Sequence, residues 1–173
     1  SDNNPFPTLS GKIEIFSQLI ADLNNPDIPP VPSYIPSWEG PEDPLSEKFP
    51  LQLITIHHKT RAHSCFDNHP WLREIESQSL WISAKDADER GISDGDSVRA
   101  FNDRGETIVR ATVTERMMPG VTSLGEGAWY SPDEKGRDRA GSPNVLMRDD
   151  YSPGGAFPFN TTLVQVERFA EEA

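Results

Sequence analysis

All four histidines of the chain, His57, His58, His63 and His69, fall within 13 residues, together with Lys59, Arg61, Ser64 and Cys65. Three chemistries compete for this window. Arg61 offers a planar fork suited to phosphate, Lys59 a point charge, and the imidazoles and Ser64 add directional donors, so the segment reads as an anion site for a phosphorylated ligand. His63, Cys65 and two further histidines would make a zinc set, but His57 and His58, adjacent on an extended chain, point to opposite sides and do not easily serve one ion. Cys65 beside His63 is a nucleophile pair by composition, although free cysteines are more often buried spectators. The plain alternative is a solvated loop with scattered charge.

The surroundings favour the anion reading. The chain carries 28 acids against 16 bases, net -12, yet residues 57–69 hold Lys59 and Arg61 against Asp67 alone. An acidic protein with one basic, histidine-rich segment argues against generic nucleic-acid binding and against attachment to an anionic membrane. No stretch of 18 apolar residues is present, so no membrane-spanning helix is expected. The opening Ser1-Asp2-Asn3-Asn4 shows no secretory pattern. A single cysteine excludes an internal disulfide and a Cys-ligated iron–sulfur cluster within these 173 residues. No GxGxxG, P-loop or GxSxG occurs.

These side chains must be positioned by the elements around them. Ten of the 16 prolines lie in residues 1–50, and 24–48 hold too many for a helix or a central strand. Before them, Leu9, Ile13, Phe16, Ile20 and Leu23 repeat at helical spacing and predict an amphipathic helix over about 11–23. Residues 1–48 therefore read as a helix plus Pro-rich connector from a preceding domain, and the chain as part of a larger protein. From residue 49 the text changes. Leu51–Ile56 is an apolar, β-branched run that predicts a central strand directly before the histidines. Short helices are expected over 69–76 and 84–90, the second capped by Ser83 with Asp86 and ended by Gly91. Strands are expected over 80–82, 97–101, 106–113, 121–124 and 163–166, with Asn102-Asp103-Arg104-Gly105 as a hairpin turn whose glycine supplies φ > 0. About six short strands with two or three small helices predict a mainly β fold, a compact barrel over 49–173. No internal repeat is visible.

The order of several short motifs carries a family resemblance. His57-His58-Lys59-Thr60-Arg61-Ala62-His63-Ser64 follows the first strand. Then come Asp86–Val98, Phe101-Asn102-Asp103-Arg104-Gly105, Met118-Pro119-Gly120-Val121, Glu126-Gly127-Ala128-Trp129-Tyr130, Asn144-Val145-Leu146 and Asn160-Thr161 before Leu163–Glu167. Each fragment is weak alone. The ordered set, over about 49–169, resembles the C-terminal molybdopterin-dinucleotide-binding domain of the dimethyl sulfoxide reductase family, in particular the catalytic subunits of its three-subunit members. Ser10-Gly11-Lys12-Ile13-Glu14 also resembles the segment just before that domain.

The resemblance implies a double-psi β-barrel that binds molybdopterin guanine dinucleotide, with molybdenum held by other domains. It implies that His57, Lys59, Arg61, His63 and Ser64 face pterin and phosphate, with Lys59 and Arg61 accessible at one barrel mouth and not paired away. Asn144, Asn160 and Thr161 match later polar positions, where an amide offers both a donor and an acceptor to pterin edges. Trp129 and Tyr130 are expected to pack, and Cys65 has no assigned role. The family's metal ligand and cluster-binding cysteines belong to other domains, so this chain alone is expected to do no catalysis. The parent would be a molybdenum oxidoreductase acting on an S- or N-oxide, with preceding domains and an iron–sulfur electron-transfer subunit as partners, and exported by analogy. Two alternatives stand beside this reading: a stand-alone interaction or zinc-binding module using the His57–His69 cluster, and a self-cleaving pyruvoyl barrel using Gly141-Ser142.

Overall fold

The computed structural model describes residues 4–170. Two compact units divide it: Ser1–Pro36 with Tyr151–Phe157, and Ser37–Asp150 with Pro158–Ala173. Among the described residues of the first unit, only Gln18–Asp22 (α1) is helical, capped by the Ser17 hydroxyl, which accepts from the Ile20 backbone N–H. The helix predicted over 11–23 is thus a single turn and a half. Ile13, Leu19 and Leu23 are exposed, and a short helix whose apolar face is not buried has little beyond propensity to sustain it.

The second unit is a closed barrel of six strands: Leu51–Ile56 (β1), Ser79–Ile82 (β2), Ser97–Phe101 (β3), Glu106–Val113 (β4), Val121–Gly125 (β5) and Thr162–Arg168 (β6). Neighbours run β1-β5-β2-β4-β3-β6 and back to β1. β1 pairs parallel with β5, β2 parallel with β4, and the other contacts are antiparallel. Exchanging β1, β2 and β3 for β4, β5 and β6 maps this set of neighbours onto itself. The barrel is a double-psi β-barrel of two equivalent halves, although no repeat is legible in the residues. Its core is Leu51, Leu53, Leu80, Ile82, Val98, Ala100, Leu124, Val164 and Val166, contributed by alternate positions of five strands, with Ala111 of β4 joining them.

The short helices follow their signals. Pro70–Ile75 (α2) begins on Pro70, and Ala84–Asp88 (α3) is capped by Ser83, whose hydroxyl also donates to the Asp86 carboxylate. Gly91 takes φ +62° at the end of α3. Two details differ from expectation. Gly105 does not adopt a positive φ; glycine is needed there because a Cβ would lie 2.6 Å from the Val145 carbonyl oxygen. The distal part of the Pro-rich segment also belongs to the barrel unit. It holds a 3-10 turn at Pro44–Glu47, and Glu39, 1% exposed, accepts from both Arg104 guanidinium nitrogens at 2.6 and 2.9 Å and from Leu163 N at 2.8 Å.

Candidate functional site

The strand directions place the chemistry at one mouth. β1 and β5 are parallel, so residues after Ile56 and after Gly125 emerge together, and the Glu126 backbone N–H donates to Ile56 O at 2.8 Å. β2 and β6 are antiparallel to that pair, so Gln78 and Asn160, just before them, reach the same end. β4 runs parallel to β2, which brings the 102–105 turn there too. The 3-10 turn Pro143–Val145, carrying Asn144, sits on that turn, where Asn102 Nδ2 donates to Leu146 O at 2.8 Å. Residues 57–64, Asn144, Asn160 and Thr161, some 80 to 100 positions apart, therefore share one end of the barrel.

Arg61 departs from its expected place. Its side chain is only 4% exposed. All three groups of the guanidinium are engaged: Nε donates to Glu126 O at 3.1 Å, Nη1 to Asp67 at 2.7 Å and Nη2 to Gln78 Oε1 at 2.6 Å. Gln78 passes the connection on through its Nε2, which donates to Gly125 O and Gly141 O, each at 2.8 Å. Asp67 is buried as well, and accepts from the Trp129 backbone N–H at 3.0 Å and from Arg73 at 3.2 Å. Burial alone would raise the Asp67 carboxyl. The Trp129 N–H and the Arg61 and Arg73 guanidiniums outweigh it and hold the group below the ordinary carboxylate range. Arg61 is thus paired away inside the loop. The planar fork that suits phosphate suits three fixed protein acceptors equally well, and in the sequence nothing marks Gln78 as one of them.

The other groups remain available. Lys59 is 75% exposed, with Glu76 at 3.5 Å. His57 and His63 are 78% and 81% exposed, with Nδ1 2.7 and 3.0 Å from Glu126 Oε1. Asn160 Oδ1 accepts from Thr55 N at 2.7 Å, which turns the amide so that Nδ2 has no donor contact among the described residues. Asn144 is exposed. His58 is half-buried, and burial, then the Arg61 charge, lowers its pKa.

The backbone shows why the loop holds this shape. His63 has φ +52° and Phe66 φ +74°, conformations that non-glycine residues seldom adopt and that persist where surrounding contacts impose them. Gly127, at φ +82°, leaves room for the His63 carbonyl, which would lie 1.7 Å from a Cβ there. Trp129 and Tyr130 are about half exposed, and the Trp129 indole N–H donates to Ser64 O at 2.7 Å, so Trp129 fastens the loop instead of filling the core. A cleft of about 380 Å³ lies beside this junction, lined by Phe66, Arg73, Trp129 and Tyr130 among others. Cys65 is exposed, and its backbone pairs with Ala62; its thiol is not among the converging ligand atoms. Sequence reasoning missed Asp67, Gln78 and Glu126. An acid inside a basic segment and a Glu-Gly pair closing a strand were the available signals.

A closed double-psi barrel with cations, imidazoles and amides gathered at one mouth defines a cofactor-binding β domain. The Molydopterin dinucleotide binding domain family matches residues 51–163, and the chain belongs to that family. It is 49% identical over 173 residues to dimethyl sulfoxide reductase DmsA of Escherichia coli K12, covering 95% of this chain and 21% of that protein. It is 40% identical over 179 residues to trimethylamine-N-oxide reductase 1 of Escherichia coli O6:H1, covering 97% and 21%. The chain thus spans about a fifth of the length of these relatives. Among solved structures, acetylene hydratase from Pelobacter acetylenicus superposes with a TM-score of 0.78 over 96% of this chain and 24% of that one, at 18% identity, which shows the shared fold. The stand-alone zinc-module alternative finds no support in these relatives. Among the described residues no helix is long and apolar enough to cross a membrane.

Proposed function

We propose that this chain closes one side of a molybdopterin guanine dinucleotide in the catalytic subunit of an S- or N-oxide reductase. The observation that carries the reading is the chemistry of the donor set at the mouth. Lys59, His57 and His63 are exposed, Asn144 and the outward-turned Asn160 amide stand at the same end, and the loop behind them is fixed by buried pairs. That set fits the group. A diphosphate tail takes cations and N–H donors, and a pterin edge takes amides, which donate and accept together.

Within that reading each residue has a part. Lys59 neutralises phosphate charge, His57, His63 and Ser64 add directional donors, and Asn144, Asn160 and Thr161 orient the pterin edge. Arg61 is a positioning residue: it ties residues 61, 67, 78 and 126 together and acts through the shape of the loop. Fixing the donors before binding lowers the ordering cost of the cofactor. The bound molybdenum supplies oxygen-atom transfer coupled to two electrons. Preceding domains provide its ligands and substrate access, an iron–sulfur subunit delivers electrons, and the assembled enzyme is exported.

The test uses the catalytic subunit that carries this segment. Lys59→Ala and Asn160→Ala are made separately and together, and molybdenum and guanine nucleotide per polypeptide are measured beside S-oxide reduction with an artificial donor. The reading expects the double variant to lose most of both contents while the apoprotein melts as wild type. Full cofactor content in the double variant overturns it.

A further inference from the structure

We propose that Asn102 and Arg104, on the turn between β3 and β4, are positioning residues that hold Asn144 in register with Asn160. The inference rests on the reading of this mouth as the pterin site. In the sequence, Asn102-Asp103-Arg104-Gly105 only closes a hairpin. In the structure its side chains join two segments that no strand ladder connects among the described residues. Leu146, two residues after Asn144, is fully buried, and its carbonyl accepts from Asn102 Nδ2 and from Arg104 Nε, each at 2.8 Å. Leu163, three residues after Asn160, is held through both of its backbone groups. Its N–H donates to Glu39 Oε2 at 2.8 Å, and its C=O accepts from Asn102 Nδ2 at 3.1 Å. One amide nitrogen thus bridges the two segments, with a hydrogen for each carbonyl. Asn102 Oδ1 accepts from the Arg104 backbone N–H at 3.0 Å, and Arg104 Nη1 and Nη2 donate to Glu39 at 2.6 and 2.9 Å. Every polar atom of both side chains is engaged within the protein, so they act on a ligand through the backbone they hold.

The place of this bridge in the barrel explains its use. The β3–β6 ladder stops at Phe101 opposite Gln165. Beyond it, the side chains of Asn102 and Glu39 take the place of a strand beside Leu163. Buried backbone groups need partners, and a continued strand would have supplied them to Leu163. A strand would not have reached Leu146 as well. Gly105 completes the seat: a Cβ there would lie 2.6 Å from Val145 O, so the 3-10 turn rests directly on the hairpin backbone. The two amides differ in what else holds them. Asn160 Oδ1 is anchored to β1 by Thr55 N at 2.7 Å, whereas Asn144 is exposed on a three-residue turn. A pterin edge that meets both amides needs their separation held to about 0.5 Å. The Asn102–Arg104 bridge is the connection that ties the Asn144 turn to β6.

The test compares Asn102→Ala, Arg104→Lys and Asp86→Asn in the catalytic subunit that carries this segment. Asp86 is the control. It is buried at the opposite end of the barrel, where it accepts from Ser83 Oγ at 2.6 Å and from Gly120 N at 2.8 Å. The first arm is amide exchange on the cofactor-free subunit. Asn102→Ala should speed exchange at least tenfold in both 143–147 and 160–163. Arg104→Lys keeps a charge facing Glu39 but loses the donor to Leu146 O, and should do the same in 143–147. Asp86→Asn should alter neither segment. The second arm loads the cofactor and follows the molybdenum that stays with the polypeptide over time, at a temperature where melting shows each variant folded. Asn102→Ala and Arg104→Lys should release it at least fivefold faster than Asp86→Asn and wild type. A purely structural role would move the exchange and leave the release rate where Asp86→Asn has it. Arg104→Lys, the milder change, decides the question if Asn102→Ala does not fold. The proposal is overturned if exchange in 143–147 rises less than tenfold in the folded variants, or if their release is less than fivefold faster than that of Asp86→Asn. Failure of the cofactor reading is separate: it shows as full cofactor content in the Lys59→Ala, Asn160→Ala double variant.

Discussion

Replacing Arg61 with alanine should loosen the mouth of the barrel while Lys59→Ala leaves it intact. Arg61→Ala strips the donor from three acceptors at once: Asp67 at 2.7 Å, Gln78 at 2.6 Å and the Glu126 carbonyl at 3.1 Å. Asp67 is left as a buried carboxylate with only Arg73, whose side chain is 57% exposed, and the Trp129 N–H. Removing one member of a buried ion pair costs about 3–5 kcal/mol. Nearly all of that falls on the junction between loops 57–69 and 126–130, because none of the three Arg61 acceptors lies within a strand. At 1.36 kcal/mol per decade, local opening becomes about 2.2 to 3.7 orders of magnitude more frequent. Amide exchange followed by mass spectrometry reads this directly, through peptides covering 58–67 and 126–130 with β1 peptides as the internal reference. Arg61→Lys should recover only part of the protection, since an ammonium cannot reproduce a three-way planar fork. Exchange in Arg61→Ala within threefold of wild type, or equal loss of protection in Lys59→Ala, would refute the argument.

Further outcomes follow from the same contacts. Gly127→Ala combines a φ of +82° with a Cβ 1.7 Å from the His63 carbonyl, whereas Gly136→Ala meets a φ of +78° in open space; thermal unfolding should show a large loss for the first and only the backbone cost of about 1–3 kcal/mol for the second. The lowered pKa of Asp67 means that its stabilisation is fully present above the ordinary carboxylate value of about 3.9 and is lost as pH falls through the lowered value. Protection of the Trp129 amide should therefore be flat from about pH 5 to 8 and fall only under stronger acid, and Asp67→Asn should remove that acid step. Glu39→Ala leaves the Leu163 N–H and the Arg104 fork without their buried acceptor, and its urea midpoint should correspond to a loss of about 3 kcal/mol.

Much of the barrel is written locally. Leu51–Ile56, the capped helix at Ser83–Asp86 and the 102–105 turn each carry their own signal, and the structure places all three within a residue or two of expectation. What the residues do not carry is the pairing between distant segments. The two equivalent halves of the barrel emerge only from the neighbour list, since identical backbone topologies accept different side chains as long as the inward positions stay apolar. Helical spacing over 11–23 overstated α1, because periodicity reports a face that needs covering and not what covers it. The site divides the same way. The cations and imidazoles of 57–69 are conspicuous by composition. That Arg61 belongs to Asp67 and Gln78, and that Glu126 faces His57 and His63, depends on β1 and β5 ending side by side, a contact 65 or more positions long for Arg61 with Glu126. The family resemblance supplied the cofactor class; it did not distinguish the buried arginine that shapes the loop from the exposed lysine, whose ion pair with Glu76 lies at the surface.

The central claim is that the mouth bearing residues 57–64, Asn144 and Asn160 receives the dinucleotide. The most direct test is a titration of the isotope-labelled chain with molybdopterin guanine dinucleotide, followed through backbone amide chemical shifts. The account predicts shifts concentrated at 57–64, 126–130, 144–146 and 160–162, with little change at 83–96 and 114–120 on the opposite end. Shifts clustered at that opposite end, or a saturable titration that leaves 57–64 unmoved, would contradict it.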